Sequence, residues 1–336
     1  MEKITIRSVL KKLYSPTFLS EWMEYEGLLY YYYKEKLGFY KELVAVIDTN
    51  EFSIEPDYVF FKGSFTKARL NNIVERIIES YMRILQLCYK GDFLYAGKLL
   101  YQMLLCKNSK LRQYLIEPYI NYLDYKVFNS SVFYRMRDEE LGKPVDNCSH
   151  VPYNKICKID SNRFSLQGLP CLYLADSLET ANQECHEVKE GSQRWVSEFV
   201  PIKMFALTDL RFRGLKIESN MDKYDAFKLL ISFPMRLLCS FKVKDNDHKF
   251  HEEYLFPQLL SHLILVYLKE HPDDKLFNGT EGILFDSTQN DNGYNLIIPA
   301  LYSGKEPPKS GHSTKKMIFL KNIMYIYISK NATPTT

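Results

Sequence analysis

The segment NRFSLQGLPCLYLADSLETANQE, residues 162–184, places two charged residues beside a stretch with the composition of a protein core. Its middle part, CLYLA at 171–175, is an apolar run of the length of a buried strand, and the residues after it are typical of a helix. Arg163 precedes the run and Glu184 ends the segment. Isolated arginines and glutamates are usually exposed. The question is therefore why these two charges lie so close to a segment with the composition of a core, and whether they simply face solvent.

The phase of the predicted helix indicates that Glu184 lies at the edge of its buried face. Ser177 is suited to cap the helix, because its hydroxyl can accept from first-turn amides. The inward apolar stripe consists of Leu178, Ala181, Cys185 and Val188. A carboxylate beside that stripe needs a partner or a cleft, since unpaired burial is costly. A structural ion pair would meet this need as well as a catalytic role would.

Other residues near this segment share a common chemistry with Glu184. Arg163 can reach over the end of the strand, or its stem can merely cover apolar surface. Arg135, in FYRMR, is predicted to take one face of a strand while Tyr134 takes the other. Guanidinium groups bind phosphates, the ring of Tyr173 can hold a flat heterocycle, and a carboxylate stabilises developing positive charge.

The composition indicates a folded protein without a preference for polyanions. Lys and Arg number 44 against 41 Asp and Glu, so a nucleic-acid partner is not expected. The 7 cysteines contain no CxxC pair, which is typical of a reducing cytoplasm. We expect no signal peptide and no membrane-spanning segment, because no uncharged apolar run is long enough.

Helical patterns dominate the first 128 residues. NNIVERIIESYMRILQLCYKG, at 71–91, repeats apolar residues at helical spacing. Gly91 is suited to end that helix, and Asp92 is suited to cap the next one, FLYAGKLLYQMLL. The chain also has 26 tyrosines, including the run Tyr30–Tyr33. We expect them to pack helices together with their hydroxyls in solvent, and not to stack on bases.

After residue 128 the pattern changes to strands mixed with helices. Strands are predicted in SVFYRMR, CLYLA, RWVSEFVPIKMFALTDL (two), EGILFDS, YNLIIPA and KMIFLKNIMYIYI, and helices in SLETANQECHEV and PQLLSHLILVYLKEH. This irregular order favours the α+β class over a doubly wound sheet. We therefore predict a mostly helical region at 1–128, an α+β domain at 129–330 and a tail at 331–336.

HKFHEEY invites a metal-site interpretation through His248, His251, Glu252 and Glu253. Its spacing is not HExxH, because Leu255 stands four residues after His251. Without a matching downstream ligand set, no metal is predicted here.

From about Val132 to Pro299 the chain resembles the RES domain family, which is named for characteristic Arg, Glu and Ser residues. The resemblance is carried, in order, by FYRMR, VPYNKI, NRFSLQGLPCLYLADSLETANQE, HEEYLFPQLL, EGILFDS and YNLIIP. GLPCLYLADS with the glutamate that follows is the most specific piece. The resemblance implies an ADP-ribosyltransferase-like fold for the domain at 129–330 and the activity of a bacterial toxin that consumes NAD⁺.

Carried over residue by residue, the resemblance implies that Glu184, Arg135 and Tyr173 are catalytic and that Arg163 and Ser287 bind the substrate. The two arginines would hold the pyrophosphate, Tyr173 would lie against the nicotinamide ring, and Ser287 would bond a ribose or a phosphate. Glu184 would stabilise the positive charge that develops on the ribose. NAD⁺ is then the substrate. No further cofactor and no metal is expected, because nicotinamide leaves as a neutral molecule.

The predicted function is NAD⁺ hydrolysis or phosphorolysis by a cytoplasmic toxin or antiphage defence effector. Two alternatives stay open: an ADP-ribosyltransferase that modifies a protein or a nucleic acid, and a non-catalytic interaction protein with a degenerate RES fold. Compact members of the family lack a counterpart of residues 1–128. This region would regulate the enzyme, bind an antitoxin or inhibitor, or form a homo-oligomer.

Overall fold

The computed structural model describes residues 3–48, 66–107, 110–115, 117–128, 131–138, 150–185, 193–201, 205–213, 215–243, 250–268, 280–300 and 318–327. The chain forms two compact units. Met1–Asp124 and Leu210–Asn278 make one, which we call the helical unit, and Tyr125–Asp209 and Gly279–Thr336 make the other, the sheet unit. The first division lies near the expected boundary at 128. Residues 210–278, expected in the second domain, pack instead with the helices. The expected tail at 331–336 lies outside the described residues.

The helical unit confirms the predicted helices of the first third of the chain. Its helices are α1 (Ile6–Leu13), α2 (Pro16–Met23), α3 (Leu29–Ala45), α4 (Lys67–Tyr89), α5 (Phe93–Leu104), α7 (Lys223–Ser240) and α8 (Leu255–His262), with a π turn at Leu263–Tyr267. After α4, Gly91 has φ +75°, and the Asp92 side chain accepts from the N–H of Tyr95. None of the helices in the described ranges has the length and apolar character needed to cross a bilayer.

The sequence patterns did not predict α7, which has a proline in its interior and is buried on nearly every side. Pro234 has no N–H to donate to the carbonyl of Leu230. The hydroxyl of Tyr40 donates to that carbonyl instead, at 2.8 Å. Burial raises the pKa of Tyr40, so the hydroxyl keeps the proton that it donates.

Further tyrosines donate hydrogen bonds to the same helix. Their hydroxyls donate to backbone carbonyls of α7: Tyr14 to Leu229 at 2.9 Å, Tyr119 to Ile231 at 2.7 Å and Tyr33 to Pro234 at 2.8 Å. All these side chains are buried. The expectation that tyrosine hydroxyls stay in solvent is therefore wrong for them, because each buried hydroxyl finds an acceptor in a backbone carbonyl of α7.

We expect Tyr40→Phe to lower the free energy of unfolding by about 2 kcal/mol, because the Leu230 carbonyl then loses its donor. Tyr33→Phe is the matched control: Tyr33 is equally buried, but its acceptor, the carbonyl of Pro234, can still be reached by the helical N–H of Leu238. We expect the control to lose about 1 kcal/mol or less. Urea unfolding of both variants measures the difference. Equal losses of unfolding free energy in the two variants would contradict the conclusion that the Leu230 carbonyl depends on Tyr40 for its donor.

The sheet unit is built on eight strands in the order β1-β5-β6-β7-β3-β2-β4-β8. The strands are β1 (Asp124–Phe128), β2 (Phe133–Asp138), β3 (Cys171–Ala175), β4 (Gln193–Pro201), β5 (Phe205–Asp209), β6 (Gly282–Asp286), β7 (Tyr294–Pro299) and β8 (Ile318–Tyr327). The short helix α6 (Leu178–Glu184) follows β3. β5 and β6 are parallel, and β7 pairs antiparallel with both β6 and β3. The α+β class and the strands predicted after residue 128 are confirmed, whereas residues 124–128, expected to be helical, form β1.

The sheet consists of two well-paired parts with a narrow junction. β2 pairs with β4 along its whole length, and so does β3 with β7. β2 and β3, however, meet at a single register position, Tyr134↔Ala175. Past that pair, the two facing edges are joined by no further ladder pair among the described residues. The sheet therefore divides between β2 and β3.

The two faces of the sheet differ in what covers them. One face carries an apolar core made of Phe133, Leu172, Leu174, Phe199, Leu207, Leu284, Leu296 and Ile298. On the other, Ala181 of α6 packs with Met136, Ala175 and Val196. We call the first of these faces the core face and the second the α6 face. Side chains alternate along a strand and cross-strand partners share a face. The residues in register with Ala175 therefore belong to the α6 face.

Candidate active site

The predicted position of Glu184 at the edge of the buried face of α6 is confirmed. The Ser177 hydroxyl caps the helix by accepting from the N–H of Thr180 at 3.1 Å. Glu184 is the last residue of the helix and is partly buried. One detail of the expected stripe is wrong: Leu178 is exposed, and Thr180 takes its place beside Ala181. The part of the predicted helix beyond residue 185 lies outside the described residues.

The carboxylate of Glu184 is bonded through one of its two oxygens. Oε1 accepts from the hydroxyl of Ser287 at 2.5 Å and from the side-chain amide Nδ2 of Asn295 at 2.7 Å. Oε2 accepts no hydrogen bond from any residue that the structure describes. The two donors come from different segments, the residue after β6 and the second residue of β7. The carboxylate is thus oriented by the protein, with one oxygen left for a ligand.

Ser287 has its hydrogen-bonding capacity fully used inside the protein. Its hydroxyl donates to Glu184, and its Oγ accepts from the backbone N–H of Gln289 at 3.1 Å and of Asn290 at 2.9 Å. The residue is 0% exposed. A hydroxyl has one donor and two acceptor sites, so this arrangement suits a group that holds Glu184. The sequence-based prediction of a direct bond from Ser287 to ribose or phosphate has no support in this geometry.

The loop between β6 and β7 fits closely against the first turn of α6. Asn290 donates through Nδ2 to Oγ1 of the buried Thr180 at 2.9 Å, and Ser287 donates its N–H to the carbonyl of Gly293 at 3.0 Å. A Cβ at Gly293 would lie 2.8 Å from Cγ2 of Thr180 and 2.9 Å from Nδ2 of Asn290, both shorter than ordinary contact. Glycine is needed here because the loop approaches the helix so closely.

We expect Gly293→Ala to lower the free energy of unfolding by about 2 kcal/mol, since the added methyl group overlaps Thr180. Combining it with Thr180→Ala removes that overlap, so the double variant should be more stable than the sum of the two single effects predicts. Thr180→Ala alone is the control for the lost bond to Asn290. Thermal unfolding of the three variants measures the coupling, and purely additive losses would contradict this explanation of the glycine.

Arg194, on β4, holds the end of α6 that carries Glu184. Its guanidinium is 0% exposed and donates to the carbonyl of Cys185 at 3.1 Å and to Oδ1 of Asn182 at 3.2 Å. A cation at the C-terminus of a helix satisfies carbonyls that lack helical partners and suits the helix dipole. Arg194 therefore holds the backbone carbonyl that follows Glu184 and the side chain of Asn182, which precedes it by two residues.

A tight turn brings the segment that contains Arg163 against Tyr173. Asn162 and Ser165 exchange backbone hydrogen bonds of 3.1 and 3.2 Å, and the Tyr173 hydroxyl donates to Oγ of Ser165 at 3.0 Å. Arg163, inside this turn, is 7% exposed. Its stem is therefore not simply spread over open surface, and the hydroxyl bond fixes the ring of Tyr173.

The register brings Tyr173 and Glu184 to the same face of the sheet. Asn295, which holds Glu184, pairs with Ala175, and Tyr173 lies two residues from Ala175 on the same strand. The ring of Phe285, which pairs with Asn295, packs edge-on against Tyr173 with centroids 6.4 Å apart. Tyr173, Glu184 and Ser287 are thus gathered on the α6 face, and the turn with Arg163 adjoins them.

Arg135 is not brought to this face. Its neighbour Tyr134 pairs with Ala175 and packs with the cluster under α6. Alternation along β2 therefore directs Arg135 to the core face. The sequence predicted that Tyr134 and Arg135 take opposite faces, but not which of them shares a face with Glu184. Arg135 is also the first residue of β2 beyond the junction with β3.

The surroundings of Cys171 and of the acids of HKFHEEY are those of structural residues. Cys171 lies on β3 beside the turn, and its desolvation by burial raises the pKa of the thiol to about 12, against a smaller opposing effect of Ser165. The thiol is therefore protonated at neutral pH and is a poor nucleophile.

In HKFHEEY, Glu252 and Glu253 accept from the hydroxyl of Tyr25 at 2.9 and 2.7 Å, so these acids have partners within the helical unit. His248 lies outside the described residues, and the described part of the chain contains no cluster of three metal-binding side chains.

Asn295 and Arg194 were missed by the sequence analysis. A polar residue in an otherwise apolar strand, YNLIIP, was the available signal for Asn295. Arg194 stands in a strand with alternating residue types, and a charged residue in such a pattern usually faces solvent. Only the packing of α6 on β4 explains its burial.

Comparison with known proteins finds a partial similarity to a bacterial protein. The chain is 29% identical over 142 residues to a Bacillus subtilis (strain 168) protein named "Putative toxin YopC". The match covers 38% of this chain and 31% of the relative, so the chain spans less than a third of that protein's length. No protein-family model matches the chain, and no solved structure matches it.

Proposed function

We propose that the sheet unit is an enzyme that cleaves the nicotinamide–ribose bond of NAD⁺ with Glu184 as its catalytic carboxylate. The supporting observation is the asymmetry of that carboxylate: Oε1 is held by Ser287 and Asn295, and Oε2 has no partner among the described residues. A carboxylate fixed in this way can stabilise a cation without first reorganising. The choice of NAD⁺ as the substrate rests on the resemblance to RES domains.

The proposed reaction breaks the bond between C1′ of the ribose and the ring nitrogen of nicotinamide. The electron pair of that bond stays on the nitrogen, so nicotinamide leaves as a neutral molecule. Positive charge then develops on the ribose, as in the oxocarbenium-like transition states of glycosidases. Oε2 of Glu184 faces this charge. Water or phosphate next forms a bond to C1′ and releases its proton, which yields ADP-ribose or its phosphorylated form.

Arg163 and Tyr173 are suited to hold the substrate in this proposal. The guanidinium of Arg163 binds the pyrophosphate, because its planar fork matches phosphate oxygens. The ring of Tyr173 lies against the nicotinamide ring. Its hydroxyl is already bonded to Ser165, so the ring orientation costs little further entropy on binding.

The division of the sheet between β2 and β3 supports a site for an elongated ligand. In this proposal the dinucleotide lies along the two facing edges, with Tyr173 on β3 and Arg135 on β2 just beyond the junction. Arg135 then reaches the pyrophosphate around the edge of β2, although alternation along the strand places its side chain on the core face. The fold of the unit would be ADP-ribosyltransferase-like.

The proposed biological role is that of a cytoplasmic toxin or antiphage defence effector. The name of the relative describes a toxin, which supports this role, and loss of NAD⁺ harms any cell. Such an enzyme needs restraint. We propose that the helical unit regulates it, by binding an antitoxin or inhibitor or by forming a homo-oligomer.

The direct test is the rate of nicotinamide release by the purified full chain. We expect Glu184→Gln to lower this rate by about 100-fold or more, since the variant loses the charge that stabilises the transition state. Glu179→Gln is the matched control. Glu179 lies on the same helix but is exposed and bonds only Gln183 among the described residues, so its variant should retain the rate within about twofold.

Product analysis separates the alternatives. Free ADP-ribose identifies hydrolysis, and a phosphorylated product that requires added phosphate identifies phosphorolysis. ADP-ribose attached to a protein or nucleic acid of a lysate identifies transfer. A folded wild-type chain that releases no nicotinamide would overturn the enzymatic proposal, and an unchanged rate of Glu184→Gln would overturn the role of that residue.

A further inference from the structure

We propose that Asn295 is a positioning residue for Glu184: its amide keeps Oε1 engaged and so turns Oε2 toward the substrate. The inference rests on the proposed function. The observation that carries it is the 2.7 Å bond from Nδ2 of Asn295 to Oε1, made by a side chain that is 7% exposed. Neither the resemblance nor the comparison assigns a role to this asparagine.

The location of Asn295 suits precise positioning. It lies on β7, between β3 and β6, and its register partners are Ala175 on one side and Phe285 on the other. A residue in a strand paired on both sides has little backbone freedom. Glu184, by contrast, is the last residue of a seven-residue helix, and its side chain has several rotatable bonds. The rigid strand therefore orients the less constrained acid.

Two donors on one oxygen restrain the carboxylate more than one donor does. Ser287 and Asn295 approach Oε1 from different segments, so rotation of the carboxylate about its terminal bond would break at least one of the two bonds. With Ser287 alone, the carboxylate could turn through a wider range of angles while it keeps its one bond. Asn295 thus narrows the range of orientations in which the unbonded oxygen faces the ribose, and its loss should lower the rate of bond cleavage more than the affinity for NAD⁺.

The test uses Asn295→Asp, which keeps the shape of the side chain, removes the amide donor and places a second carboxyl group beside Oε1. We expect kcat to fall by about 10- to 100-fold, as for the loss of a hydrogen bond to a charged group, while KM for NAD⁺ changes by less than about threefold. Asn290→Asp is the matched control: Asn290 is similarly buried, but its Nδ2 donates to Thr180 and not to Glu184. A fall in kcat equal to that of the control would overturn the proposal.

A second measurement separates positioning from a general need for a buried amide. When Glu184→Gln and Asn295→Asp are combined, the amide introduced at position 184 can donate to the carboxylate introduced at position 295. The double variant should therefore regain part of the thermal stability that Asn295→Asp alone loses, since an amide nitrogen at that position cannot accept from Ser287. Asn290→Asp should lose the same stability with and without Glu184→Gln. Additive losses for Asn295→Asp would overturn the contact itself. If the wild-type chain is inactive but the stability changes at positions 184 and 295 are strongly non-additive, the proposed function is overturned and the contact between the two residues is supported.

Discussion

The sheet unit depends on one carboxylate oxygen that accepts two hydrogen bonds. Through Oε1 of Glu184, α6 is joined to the residue after β6 and to the second residue of β7. The same loop is tied to the first turn of α6 by Asn290 and Thr180. Residues 180 and 184 lie one helical turn apart and therefore contact the loop together. Because the helix is held at both ends, the acid can be partly buried without lacking partners.

Much of the sheet unit could be predicted from the sequence, since its signals are local. The apolar run of β3 and the cap at Ser177 predicted a strand and a helix at their observed starts. Long-range pairing could not be predicted. Alternation separates Tyr134 from Arg135, but only the pair Tyr134↔Ala175 decides which of them shares a face with Glu184. For the same reason, the partner of Glu184 on β7 had no sequence signal linking it to α6.

The helical unit shows a different limit of sequence analysis. A helix that is apolar on all sides has no amphipathic period, and an internal proline usually ends a helix. α7 has both properties and was missed. The high tyrosine content was visible in the sequence, but its cause was not. Tyr14, Tyr40 and Tyr119 donate to carbonyls of α7, and these acceptors are distant in the chain.

The helical unit is assembled from two chain segments that are separated by much of the sheet unit. The ribosome completes Asp124 well before it reaches Lys223, where α7 begins. At about 5–20 residues per second, this gap corresponds to roughly 5–20 s. Throughout that interval the early tyrosines have no backbone carbonyls of α7 to bond, and α1 and α4 lack the packing that they make against α7. A fragment that ends near residue 128 would lack α7 permanently. Residues 1–128 are therefore not a complete folding unit, because the helical unit also needs the later segment.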